Sequence, residues 1–305
     1  MLRSKILLSL LIIGLYLVSC NFSGKDNKNA DNGRRAILTV SIPPQQYFVK
    51  QIAGSQFEIN IMIPPGANPV TYDPTPGKMK KVANSVAYIK IGHLAFEKSW
   101  MSKFTSVNQD LKVIDQSEYS DLIKSKPAKS HDHSHRSGID PHIWTSPKAV
   151  KKQMKAIKEG LIGLDSSHAS FYEKNYRNFL SKLDTLDAFI QHSLKEIKSR
   201  SFIIFHPALS YYARDYNLIQ IPIESGGKEP TPSELRRIID TAKDQGINSV
   251  FVQRQFNTDN AETIAREIGA KVEVIDPLDS NWVDAMKDIT KKIVSRDSLN
   301  REFKK

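Results

Sequence analysis

Short apolar, β-branched runs alternate with helix-period segments along most of this chain, and the rhythm breaks once, in the middle. The runs fall at 37–41, 57–63, 86–91 and 111–115, and again at 202–205, 218–223, 249–252 and 272–275. Rich in Val, Ile and Phe and bounded by turn residues, they read as strands. Segments between them, such as 79–83, 233–245 and 260–268, carry apolar residues at helical spacing. Strand and helix in alternation imply parallel sheets covered by helices. From 146 to 199 no strand pattern appears. Leu164-Asp165-Ser166 offers a stop and an N-cap, after which Phe171, Tyr172, Tyr176, Phe179, Leu180, Leu183, Leu186, Phe189, Ile190 and Leu194 recur every three or four positions. The expectation is an α/β protein of two lobes, each a mainly parallel sheet flanked by helices, bridged by one long helix within 164–200. An ordinary core helix of one large domain is the alternative.

The first residues carry Arg3 and Lys5, an apolar run over 6–18, and Leu17-Val18-Ser19-Cys20. The run is shorter than the ~20 residues of a membrane-spanning helix and reads as a cleaved export signal over 1–19. The tetrapeptide resembles a bacterial lipobox, which makes Cys20 the lipidated first residue of the mature chain. Cys20 is the sole cysteine, so no internal disulfide can form. Residues 20–35 are polar and read as a flexible tether. Of 305 residues, 270 then remain, enough for two domains: lobes at 36–163 and 201–305. The formal charge of +11 is dispersed, as in Arg236-Arg237 near Asp240 and Lys243-Asp244. With no binding motif, a nucleic-acid role is not indicated.

In open parallel sheets, ligands bind beyond the carboxyl ends of the strands. Several of those positions carry metal-ligand side chains: His93 after the third run, His206 directly after Phe202-Ile203-Ile204-Phe205, and Asp276 after the last run. His142 sits in Asp140-Pro141-His142-Ile143-Trp144, a loop stiffened by proline and tryptophan. A lone strand-end histidine is usually structural. Imidazoles and a carboxylate brought from several strand ends can converge on one cation, and such N/O donor sets suit zinc, manganese or iron.

The chain resembles the zinc and manganese solute-binding lipoproteins of bacterial metal ABC importers (cluster A-I, the ZnuA/TroA-like proteins). The resemblance is carried by residues 64–76 (PPGANPVTYDPTP), 92–97, Asp140 to Trp144, Phe205-His206-Pro207-Ala208 with Tyr211-Tyr212, Glu229-Pro230-Thr231, and 252–256. It implies two α/β lobes joined by a long helix, a monomeric, non-enzymatic metal-binding protein, an ABC permease as partner, and membrane attachment through the lipid anchor. It further implies that His142 and His206 are ligands, with Asp276 as a carboxylate ligand and Asp279 as its fallback. The chain departs at Val70, where the family pattern has histidine. Either water completes a three-residue site or another side chain fills the corner. His93 is the candidate, with a cleft-lining hydrogen-bonding role as its alternative; Glu224, after the sixth run, is an auxiliary candidate. His131, His133 and His135 resemble the His-rich loop of zinc-selective members and shift the metal preference toward zinc, though a solvated loop binding metal weakly reads equally well. The rival functions are a metal-dependent hydrolase, for which no helix-borne H-E-x-x-H is present, and a surface adhesin retaining the fold.

Overall fold

The computed structural model describes residues 35–124, 138–224, 227–247 and 249–302, with side chains up to 295. The expected signal over 1–19, Cys20, the tether up to residue 34, and His131, His133 and His135 lie outside the described residues.

Strands β1 (Ile37–Val40), β2 (Glu58–Ile61), β3 (Ser85–Lys90) and β4 (Lys112–Asp115) form a sheet ordered β2-β1-β3-β4. Strands β5 (Ser201–Ile204), β6 (Ile219–Pro222), β7 (Ser249–Gln253) and β8 (Lys271–Ile275) form a second sheet ordered β6-β5-β7-β8. Every pairing in both is parallel. Each lobe therefore reverses its winding direction beside its first strand, between β1 and β3 and again between β5 and β7. Crevices for ligands open at such reversals.

Parallel neighbours need crossover connections. In the first lobe these are α1 (Pro43–Ala53), α2 (Pro76–Ala83) and α3 (Ala95–Val107). The middle of the chain forms α4 (Pro147–Leu164) and α5 (Ala169–Leu194), and the second lobe adds α6 (Ser210–Asp215), α7 (Pro232–Asp244), α8 (Asp259–Ile268) and α9 (Trp282–Glu302). Local chemistry sets several starts. Thr75 caps α2 ahead of Pro76, and Thr231 with Glu234 forms a reciprocal cap ahead of Pro232 in α7.

The 26 residues of α5 contain neither Gly nor Pro and span about 39 Å. Tyr172, Phe179, Leu183, Leu186, Ile190 and Leu194 form its buried face. That stripe meets α1, α4 and α9. Trp282, at the start of α9, is fully buried and packs edge-on against Phe48 of α1 at 5.1 Å. The last helix thus reaches back to the first lobe while staying bonded to the second, where Lys292 Nζ donates to Val274 O and Thr290 meets Tyr212. Along β5 the side chains alternate: Phe202 and Ile204 join the core shared by both lobes, while Ile203 and Phe205 join a separate cluster under α7 and α8. On α4, Lys148, Lys151 and Lys158 reach Asp187, Asp184 and Glu173 of α5, so these lysines are paired off across the helix seam. Among the described residues no helix is long and apolar enough to cross a membrane.

Candidate metal centre

Strand register decides what surrounds His206. Ile204 of β5 pairs with Pro222 of β6 and with Phe251 of β7. Two residues further, the same register sets His206 between Glu224 and Gln253. Glu224 Oε1 accepts a hydrogen bond from His206 Nδ1 at 2.5 Å. Gln253 holds the backbone: its Oε1 accepts from His206 N at 3.2 Å and its Nε2 donates to His206 O at 2.5 Å. Phe256 stacks on the His206 ring, with 5.2 Å between centroids and 18° between planes. Peptide, tautomer and ring plane are each fixed by a different neighbour.

His142 is held by its own loop. Asp140 Oδ1 accepts from His142 N at 2.9 Å and from His142 Nδ1 at 2.8 Å. Asp140 O accepts from Tyr211 OH at 2.8 Å, which ties the loop to the second lobe. A 3-10 turn, Ile143–Thr145, then leads through Ser146 to Pro147 at the start of α4. Burial pushes the His142 imidazole below its ordinary value, against the pull of Asp140, and so favours the neutral ring. Burial also raises the Asp140 carboxyl, but hydrogen bonds from His142 and Ser210 outweigh that and hold it below the usual carboxylate range.

Carboxylates only accept, so both histidines place their proton on Nδ1. With Nδ1 turned to a carboxylate in each ring, the two Nε2 atoms face one another at 3.1 Å. Two acceptors at that separation repel unless a proton or cation lies between them. With metal–nitrogen bonds of 2.0–2.1 Å, two imidazoles on one ion stand about 2.9 Å apart at a right angle and about 3.4 Å apart at the tetrahedral angle. The observed spacing lies between these limits. A carboxylate behind each imidazole is the arrangement that fixes the orientation and raises the basicity of metal-ligating histidines.

The pair lies in an interlobe cavity of about 270 Å³, whose walls include Pro69, Val70, Leu94, Trp144, Phe256 and Leu278. His93 lines the same cavity. It follows Gly92, whose φ of +115° suits glycine, and a Cβ there would lie 2.4 Å from Ser117 Oγ. Glu97, buried behind this turn, accepts from Ile91 N at 2.7 Å and Gly92 N at 2.8 Å, and burial raises its carboxyl above the usual range. Burial also lowers the His93 imidazole. Val70 is 60% exposed in the cleft. Asp276 directly follows β8, and its Oδ1 accepts from Gln255 Nε2 and Leu278 N, both at 3.0 Å. Asp279 is exposed, with Oδ1 accepting from Asn281 N at 2.8 Å. Among the described residues, no group of three His, Cys, Asp or Glu side chains is gathered closely enough to hold a metal. His142 and His206 come together; His93 lines the cavity beside them, and Asp276 is bonded to Gln255 and Leu278, two residues of its wall.

Sequence reasoning singled out Glu224 as an auxiliary ligand, whereas here it backs His206. It gave Asp140 no role. The signal for Asp140 was its position two residues before His142, where a short acidic side chain folds back on the following backbone.

A protein-family model described as ZnuA, zinc-uptake complex component A periplasmic, matches residues 38–296. The high-affinity zinc uptake system protein ZnuA of Bacillus subtilis (strain 168) is 27% identical over 278 residues, covering 87% of this chain and 85% of that protein. The zinc-binding lipoprotein AdcA of Streptococcus pneumoniae (strain ATCC BAA-255 / R6) is 27% identical over 278 residues, covering 88% of this chain and 54% of its own. Among solved structures, a crystal structure of ZnuA aligns with a TM-score of 0.78 at 39% identity, covering 86% of this chain and 98% of that one. Two parallel sheets joined by a long helix, matched by the family model from β1 into α9, identify the chain as a member of the ZnuA family.

Proposed function

We propose that this chain captures a divalent transition metal in the cleft between its lobes and delivers it to the permease of an ABC importer. Zinc is the preferred cargo, with manganese and iron as alternatives. The facing Nε2 atoms of His142 and His206 carry this reading. Zinc in the names of the ZnuA and AdcA relatives supports the choice of metal. In this reading His142 and His206 anchor the ion and Asp276 supplies a carboxylate oxygen, with Asp279 next in the same turn. His93 closes the side that Val70 leaves open. Glu224 acts through His206, and His131, His133 and His135 collect metal outside the cleft. Residues 1–19 direct export, Cys20 supplies the lipid anchor, and 20–35 tether lobes 36–163 and 201–305 to the membrane as a monomer.

Elemental analysis of the purified protein, followed by competitive titration with zinc, tests the site. His142→Ala and His206→Ala should each weaken zinc binding by orders of magnitude while melting with the parent cooperativity. Parental affinity in both variants would place the metal elsewhere.

A further inference from the structure

Three amide side chains lie at the centre of the first lobe, where packing alone would favour apolar ones. Gln45 of α1, Gln116 at the head of the 3-10 turn Gln116–Tyr119, and Gln153 of α4 are each fully buried. They join end to end. Gln45 Oε1 accepts from Ser41 N at 2.8 Å and Ile42 N at 3.0 Å, and its Nε2 donates to Ile89 O at 2.8 Å and to Gln116 Oε1 at 2.5 Å. Gln116 Nε2 donates to Gln153 Oε1 at 3.3 Å, and Gln153 Nε2 donates to Ile143 O at 2.6 Å. The strap starts on backbone N–H groups and ends on a backbone carbonyl, so each amide carries its oxygen toward Ser41 and its nitrogen toward Ile143. Turning one amide over would set donor against donor or acceptor against acceptor in a buried place. A fully satisfied network of this kind holds a single arrangement.

Both ends of the strap reach the cavity's histidines. Ile143 directly follows His142. At the other end Ser41 carries a second bond: its Oγ donates to Glu97, the carboxylate that accepts Ile91 N and Gly92 N just before His93. Gly92 also rests on the 3-10 turn that Gln116 opens, since a Cβ there would meet Ser117 Oγ. The turn bearing His93 and the loop bearing His142 are therefore tied to one buried line of hydrogen bonds, although none of the three glutamines lines the cavity.

We propose that Gln45, Gln116 and Gln153 are positioning residues for the metal site, fixing the register between His93 and His142 so that both imidazoles of the first lobe meet one ion. This rests on the metal-capture reading and adds what holds its first-lobe donors together. A strap that served the core alone would affect stability and leave the metal untouched.

The test uses the full chain loaded with zinc and, separately, with cobalt(II), whose visible bands report the ligand field. Gln116→Met keeps the bulk of the side chain and removes its hydrogen bonds. Zinc affinity by competitive titration should fall about tenfold, the lower end for groups that act through a ligand's support, and the cobalt bands should shift. Should Gln116→Met not fold, Gln153→Met, which removes the last link, carries the same expectation. Tyr212→Phe is the control: it deletes a buried bond to Thr290 Oγ1 at 2.7 Å, outside the cavity lining. It should lower the melting temperature with parental affinity and parental bands. In a His93→Ala background the loss from Gln116→Met should shrink to about threefold or less, because a register between two donors matters only while both bind. Parental affinity and parental bands in a strap variant that melts lower would overturn the inference and leave metal capture standing. An equal loss in both backgrounds would overturn the coupling of the two turns. A parent that binds neither zinc nor cobalt would sink both readings.

Discussion

Glu224 separates an orienting carboxylate from a ligand, and the two roles predict different losses. Its Oε1 sits 2.5 Å from His206 Nδ1, and the side chain is 7% exposed. In Glu224→Ala the Nδ1–H loses its acceptor and His206 is free to turn or to change tautomer. Removing such a partner typically costs 10–100-fold in metal affinity, about 1.4–2.7 kcal/mol. Glu224→Gln keeps an oxygen acceptor of the same reach and loses the charge, so the loss should fall near the tenfold end, with the alanine variant near the hundredfold end. Competitive zinc titration against a chromogenic chelator reads both, alongside His206→Ala as the standard for a lost ligand. A Gln variant as impaired as His206→Ala would make Glu224 a direct ligand. Two variants indistinguishable from the parent would remove Glu224 from the site altogether.

Two further substitutions probe the frame. Trp144→Phe deletes the Nε1–H that reaches Pro277 O at 3.0 Å, leaving a buried carbonyl unsatisfied; denaturant melts should show about 1–3 kcal/mol of lost stability, and an unchanged midpoint would mean that this link contributes nothing. Gly92→Ala places a methyl 2.4 Å from Ser117 Oγ at a φ of +115°; a cost of about 1–3 kcal/mol is expected, and a parental melting curve would show that the turn into His93 is loosely held.

All eight strands were legible as local patterns, and each lies within two residues of its expected bounds at either end; the run expected at 57–63, for instance, forms Glu58–Ile61. The helical stretch 146–199 was legible too, because neither α5 nor the end of α4 carries a competing period-two pattern. Strand order was not, since pairing is non-local and nothing within β5 states that β6 and β7 will flank it. The site divides along the same line. His142 and His206 stood out beside a stiff Pro141 turn and at a strand end. The partner of His206 is 18 positions away, just past the end of an edge strand, and only the Ile204–Pro222 register makes them neighbours. His93 and Asp276 were read from the same strand-end rule, but that rule fixes an end of the sheet and not the reach of a side chain.

The lobes are riveted as well as joined. Trp282 Nε1 donates to Trp144 O at 2.8 Å, Trp144 Nε1 donates onward to Pro277 O, and Tyr211 OH bridges Ile123 N at 3.0 Å to Asp140 O. A single apolar core runs beneath these links from β1 to α9. Swinging the lobes apart would break all of them and expose Trp282, so wide opening carries the cost of partial unfolding. The same bonds hold the turns that carry His142 and Asp276, through Asp140, Trp144 and Pro277, so neither turn shifts without breaking a rivet. In the proposed function, unloading by way of either turn therefore costs at least one of these bonds.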